Sequence, residues 1–206
     1  VEFEYTQEEG EIAVKAARRV VEAWLEERRI PAFNFPPRFS EMRGVFTTIN
    51  THPERELRGC IGFPEPVYPL GEAIVRSALA AAFEDPRFPP LSRREVDTVV
   101  FEVSLLTKPE PISASEPQDL ISSVEIGRHG LIAEKGPFRG LLLPQVPVEY
   151  GWSVEEFLSH TCWKAGLPPE CWKRKGVKFY RFSAEIFEEE EPRGRVVRKV
   201  LKRCTT

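Results

Sequence analysis

GVFTTINTHPERELRGCIG, residues 44–62, reads as strand, turn and strand. Residues 44–50 are β-branched and aromatic, THPERE is a polar turn, and LRGCIG at 57–62 returns, so the stretch predicts an antiparallel hairpin. Alternate side chains of a strand share a face. That places Arg58 and Cys60 together, about 6–7 Å apart along the chain, with Leu57 and Ile61 on the side that anchors the strand. Gly59 and Gly62 leave the main chain bare, which a strand tolerates poorly unless something must approach closely. A guanidinium beside a thiol favours the thiolate, the nucleophilic form. Arg58 equally suits holding a carboxylate or phosphate by a two-pronged hydrogen bond. The plain alternative makes Cys60 a small buried hydrophobe and pairs Arg58 with Glu102 or Asp85.

Working outward from the hairpin, residues 6–29 predict an amphipathic helix, with Thr6 and Glu9 as a capping box and Ile12, Ala16, Val20 and Trp24 as its stripe. LGEAIVRSALAAAFE at 70–84 predicts a mostly buried helix whose alanines permit close approach to a sheet, stopped by Asp85-Pro86. TVVFEVSLL at 98–106 alternates as a strand, and the polar stretch 107–119 makes an internal boundary. Beyond it, 131–136 and 138–144 predict a hairpin about Lys135-Gly136. Ser153 and Glu156 cap a helix through Ala165 whose stripe includes Cys162, read as packing, and 177–187 predicts a last long strand. The acidic-then-basic tail EEEEPRGRVVRKVLKR suits a solvated terminal helix, or phosphate contacts. Each half of the chain thus reads hairpin, Arg-Gly on the return strand (Arg58-Gly59, Arg139-Gly140), proline loop, helix, strand. This is either a duplicated ββαβ unit or common grammar recurring, and in both cases the class is α+β with mainly antiparallel sheets flanked by helices.

Composition narrows the function classes. With 41% hydrophobic and 30% charged residues and a net charge of −3, the chain is neither disordered nor broadly basic, so nucleic acid is a poor partner. No apolar run nears the ~18 residues of a membrane span, and the acidic start does not resemble a signal peptide, so a soluble cytoplasmic protein is expected. Few Asn and Gln, one Met and 19 Pro suit a hot environment. Four scattered cysteines and three histidines lack CxxC, HxxxH and HExxH spacing, and no GxGxxG, Walker loop or serine elbow occurs. No metal or cofactor is therefore expected.

Seven collinear segments carry a name: FTTIN (46–50), LRGCIG (57–62), AFEDPRF (82–88), FEVSLLTKP (101–109), HGLIAEKG (129–136), LLLPQV (141–146) and FLSHTCWKAGL (157–167). Together they resemble the AMMECR family. The resemblance implies two subdomains with LRGCIG facing the cleft between them, and it brings no established reaction. It places a larger part at about 1–110 plus 177–206 and a smaller one at about 111–176.

The candidate site then comprises Cys60 as thiolate or attachment point, with Glu102 or His160 handling protons. Arg58, Gly59, Gly62, Asp85 and Arg87 would hold the substrate. Against these stand plain readings: Asp85 as a helix stop, Glu102 as an exposed edge residue, His160 as a solvent-facing residue, and His52 and His129 as loop residues. Two functions stay open. One is an enzyme or modification factor using Cys60 on an unknown large substrate. The other is a binding module that grips a peptide or protein, with an incidental cysteine.

Overall fold

The structure, a computed structural model, describes residues 3–199. Its elements run α1 (Gln7–Glu27), β1 (Val45–Thr51), β2 (Leu57–Phe63), α2 (Leu70–Phe83), β3 (Val99–Leu106), β4 (Glu110–Pro111) and α3 (Pro117–Ser123). They continue with β5 (His129–Lys135), β6 (Phe138–Leu142), α4 (Val146–Tyr150), α5 (Val154–Lys164), β7 (Lys178–Glu189) and β8 (Val196–Lys199). The class is α+β with antiparallel pairing. The described chain divides into two units, residues 3–106 with 185–199, and residues 107–184.

In the first unit the strand order is β2-β1-β3-β7, with β8 also on β7. Val45 and Ile49 of β1 and Phe101, Val103 and Leu105 of β3 are buried in one core with Ala13, Val14, Ala17 and Val20 of α1 and Ile74, Ala78 and Ala81 of α2. Each such large side chain removed from water contributes about 1.5–3 kcal/mol. Thr47 enters this core by a 2.8 Å hydroxyl hydrogen bond to Ser77 of α2. The capping box of Thr6 and Glu9 starts α1 as expected, and Arg28 ends it in the left-handed region at φ 53°. Its buried stripe lies beside the one read from the sequence: Ile12 and Trp24 are only half-buried, while Ala13, Val14, Ala17 and Val21 face in.

The tail differs from its expected helix. Val196–Lys199 is a strand on β7, with Glu189 opposite Val196, because its β-branched pair meets an open sheet edge. Residues 200–206 of that expected helix lie outside the described residues. Nor is the acidic run simply solvated. Glu189 is buried and takes both forks of buried Arg18 at 2.6 and 2.7 Å, and it also accepts the Phe101 N–H. Arg18 spends its remaining donors on the Val96 and Val99 carbonyls and on Glu22.

In the second unit the order is β6-β5-β7, with β4 on β7. Its core gathers Leu131, Ala133, Phe157, Leu158, Trp172 and Phe179. Within the stretch read as a polar boundary, α3 forms because Pro117 occupies its first turn and Glu116 and Asp119 cap it reciprocally. Cys162, read as packing, is instead bonded to Cys171 in a disulfide that ties α5 to the short 3-10 turn Pro169–Lys173. The helix stop at Gly166 turns the chain back, so residues nine apart meet.

The two units share one topology. Each is a hairpin, a helix and a strand, with the hairpin's first strand central, β2-β1-β3 and β6-β5-β7. Register aligns them: Gly59 lies opposite Ile49, which lies opposite Phe101, and Gly140 opposite Ala133, which lies opposite Phe179. A Cβ on Gly59 would meet the Ala81 carbonyl oxygen at 2.1 Å, and one on Gly140 would meet the Ala165 nitrogen at 2.3 Å. In each unit the glycine of the Arg-Gly pair lets the end of the following helix lie against bare strand.

Candidate functional site

Strict alternation through LRGCIG fails at Arg58. Gly59 pairs with Ile49 but Leu57 pairs with Asn50, so Arg58 is the extra residue of a β-bulge. Its guanidinium reaches Glu95, just before β3, with Nε at 2.8 Å and Nη2 at 3.3 Å, and also donates to the Pro89 carbonyl at 2.9 Å. The carboxylate partner is therefore Glu95, not Glu102 or Asp85, and Arg58 holds the Glu95 carboxyl down at about 2. The close approach that Gly59 permits is that of α2, while a Cβ on Gly62 would strike the Phe46 ring at 2.3 Å. The bare backbone that looked like room for a ligand is filled by the protein itself.

Asp85 and Arg87 engage the main chain of β2. The residue ending α2 places Asp85, 4% exposed, against the open edge of β2. Its Oδ2 accepts the Cys60 N–H at 2.9 Å, and Arg87 Nη2 donates to the Cys60 carbonyl at 3.3 Å. The pair is itself joined by three hydrogen bonds, Nε to Oδ1 at 3.0 Å, Nη2 to Oδ2 at 2.9 Å and the Arg87 main-chain N–H to Oδ1 at 3.1 Å. A carboxylate and a guanidinium thus do for Cys60 what a neighbouring strand would do, and they close the edge against pairing. Arg87 holds the Asp85 carboxyl well below the usual carboxylate range, opposed by burial and helped by the Cys60 N–H.

With Gly59 turned to α2, Cys60 occupies the other face of the sheet. It lies opposite Thr48, which lies opposite Glu102, so the three form one row across β2, β1 and β3, all half-buried. Thr48 Oγ1 donates to the Cys60 sulfur at 3.3 Å. Glu102 is neither an exposed edge residue nor a partner of Arg58. It receives Lys199 Nζ of β8 at 3.1 Å, and the same ammonium reaches Glu188 at 3.7 Å.

The expected thiolate does not follow. Burial pushes the Cys60 thiol up; the Thr48 hydroxyl and Arg87 pull it back, while Glu102 and Asp85 add to the rise. The guanidinium that acts on the sulfur is that of Arg87, and the balance lies above the ordinary thiol value. Burial likewise raises the Glu102 carboxyl, with Lys199 opposing.

His160 lies in the second unit, its ring stacked on Trp152 at 3.8 Å. His129 accepts the Glu125 N–H at its Nδ1, and burial, then Arg181 and Arg128, hold it near 4, hence neutral. His52 opens the turn between β1 and β2 and donates its main-chain N–H to Thr98. Among the described residues no group of three His, Cys, Asp or Glu side chains is placed to hold a metal ion, and no helix is long and apolar enough to cross a membrane.

Sequence reasoning missed Thr48, Glu95 and Lys199. Thr48 could have been found by counting back through the hairpin turn; the other two approach from outside it. The second unit supplies an internal comparison, since the positions equivalent to Cys60, Thr48 and Glu102 are Leu141, Ile132 and Tyr180. One repeat carries a thiol, a hydroxyl and a carboxyl where the other carries two aliphatic side chains and a phenol.

Comparison with known proteins follows the same lines. The family model described as AMMECR1 matches residues 14–187. Protein MJ0810 of Methanocaldococcus jannaschii is 56% identical over 196 residues, 95% of this chain and 98% of its own. Protein PH0010 of Pyrococcus horikoshii is 52% identical over 204 residues, 97% of this chain and 98% of its own. The crystal structure of that uncharacterized protein superposes with a TM-score of 0.75 at 51% identity, covering 97% of this chain and all of that one.

Proposed function

This chain belongs to the AMMECR1 family, and we propose a function from the geometry of its site. The first unit binds a substrate or protein segment on the sheet face that presents Cys60, Thr48 and Glu102. The observation that carries this reading is the contrast between the repeats. At identical register positions one repeat holds a thiol, a hydroxyl and a carboxyl in one half-buried row, and the other holds two aliphatic side chains and a tyrosine, so the twin needs neither thiol nor carboxyl there. The clamp of Asp85 and Arg87 supports it, because it fixes both main-chain groups of Cys60 on what would otherwise be a loose edge strand. In this reading Cys60 meets the ligand as a neutral thiol.

A second reading is favoured by Glu102. Its raised carboxyl, in the same row as the thiol, is suited to proton exchange with a bound substrate, which would make Cys60 the nucleophile of a modification reaction.

Alkylation tests both. Cys60 is the free thiol among the described residues, and Cys204 serves as an internal reference. Iodoacetamide labelling of each, followed by mass spectrometry across pH, is repeated with protein and low-mass fractions of a cell extract. Selective protection of Cys60 supports binding at this face, and equal labelling of both cysteines under all fractions overturns it. A labelling midpoint near neutral favours the nucleophile; one above the ordinary thiol range favours the neutral contact.

A further inference from the structure

The second unit carries a surface that neither repeat symmetry nor the Cys60 row explains. Gly151, at φ 65°, ends α4 and reverses the chain, and Ser153 starts α5 two residues later. That turn stacks Tyr150 on Trp152 at 5.0 Å and 16°, and Trp152 on His160 at 3.8 Å and 4°. Trp163, one helical turn beyond His160, stands across its ring at 69° and 6.4 Å. Trp152 packs against the core of the second unit, but both ends of the ladder are bare: Tyr150 is 68% exposed, Trp163 is 70% exposed, and neighbouring Val148 is exposed as well. Contiguous exposed apolar surface of this kind marks an interaction site.

Charge says what it would take. Across α4 and α5 the chain holds Glu149, Glu155 and Glu156 against one cation, Lys164, at the end of α5. Glu156 caps α5 through Ser153. Glu149, next to Tyr150, and Glu155, in the first turn of α5, are exposed, and among the described residues neither forms an ion pair. One free carboxylate next to Tyr150 in the chain and another in the first turn of α5, on the segment that carries the bare aromatic faces, suit a cation that can also stack. Arginine meets both demands, since its planar guanidinium lies on a ring while its edge donors reach carboxylates. A lysine ammonium is a hydrated point charge that stacks less well, and the acids repel any phosphate-bearing ligand.

We propose that the Tyr150–Trp152–His160–Trp163 ladder docks an arginine-bearing peptide segment of a partner protein, its guanidinium stacked on the exposed rings and its charge met by Glu149 and Glu155. This site lies wholly in the second unit and stands whether or not the Cys60 row binds a ligand.

The probe is a capped Arg-Gly-Arg-Gly-Arg peptide titrated into the whole protein, with the indole N–H signals of Trp152 and Trp163 followed by NMR. Those signals should shift saturably, with the Trp24 and Trp172 signals unmoved. The lysine counterpart should bind about threefold or more weakly, and Tyr150→Ala or Trp163→Ala should each weaken binding by about fivefold. Both removed rings are exposed, and an unchanged thermal midpoint confirms the fold. Glu149→Gln with Glu155→Gln should weaken binding and flatten its salt dependence. Three results overturn the proposal: no shift at millimolar peptide, equal binding of a citrulline peptide, or shifts produced by a neutral oligosaccharide in place of the peptide.

Discussion

The carboxylate of Asp85 accepts the main-chain N–H of Cys60 at 2.9 Å, at the strand edge where a neighbouring β-strand would otherwise donate and accept. With Arg87 bound to both, the free edge of the hairpin becomes a fixed one. The main chain of Cys60 is thereby held by two side chains from the segment that follows α2.

Removing this clamp carries a predictable cost. Asp85→Ala leaves the Cys60 N–H and the Arg87 guanidinium without their partner and should destabilise the protein by about 2 kcal/mol in urea unfolding at pH 7, with Asp85→Asn costing less. Arg87 depresses the Asp85 carboxyl in the folded state. The ionic part of its contribution is therefore complete above the unfolded value near 4 and is lost as pH falls below it. The gap between wild type and Asp85→Asn should narrow as unfolding is repeated from pH 5 down to pH 2.5.

The thiol's titration should respond to its three neighbours with opposite signs. The Thr48 hydroxyl and Arg87 lower it, and Glu102 raises it. Thr48→Val should move the alkylation midpoint of Cys60 upward by roughly half a pH unit or more, as expected for a lost hydrogen bond to the thiolate. Arg87→Ala should move it the same way, and Glu102→Gln should move it down. If all three leave the profile unchanged, the sulfur is not in electrostatic contact with its row.

The two Arg-Gly pairs make a matched stability test. Gly59→Ala and Gly140→Ala each drive a methyl into the backbone of a helix end. Each should cost about 2–3 kcal/mol, read as a fall in thermal midpoint. Gly136→Ala meets nothing within 4 Å and bears only its φ of 57°. It should cost about 1 kcal/mol.

Reduction probes the bond between Cys162 and Cys171. Closing a loop over a separation of nine residues should stabilise by about 2–3 kcal/mol on the chain-entropy account. A reductant should therefore lower the unfolding midpoint of the wild-type protein and leave that of a Cys162→Ala, Cys171→Ala variant unmoved.

The amino-acid sequence alone determined the principal elements and their grammar, though not α3, α4 or the tail strand β8. The β-branched run of residues 45–49, the capping residues Thr6 and Ser153, and the helix stop at Asp85 each act within a few residues of themselves. The twofold ββαβ reading was legible for the same reason, because periodicity and turn residues are local. Partners were not. Arg58 meets Glu95 37 residues away, Cys60 meets Asp85 25 residues away, and Arg18 meets Glu189 171 residues away. One inserted residue at a bulge turned Arg58 from the thiol to Glu95, and desolvation, which only packing creates, pushes the Cys60 thiol up. Hydrogen-bond choice and burial depend on what the folded chain brings within 3 Å, and that is a property of the whole tertiary structure rather than of any segment.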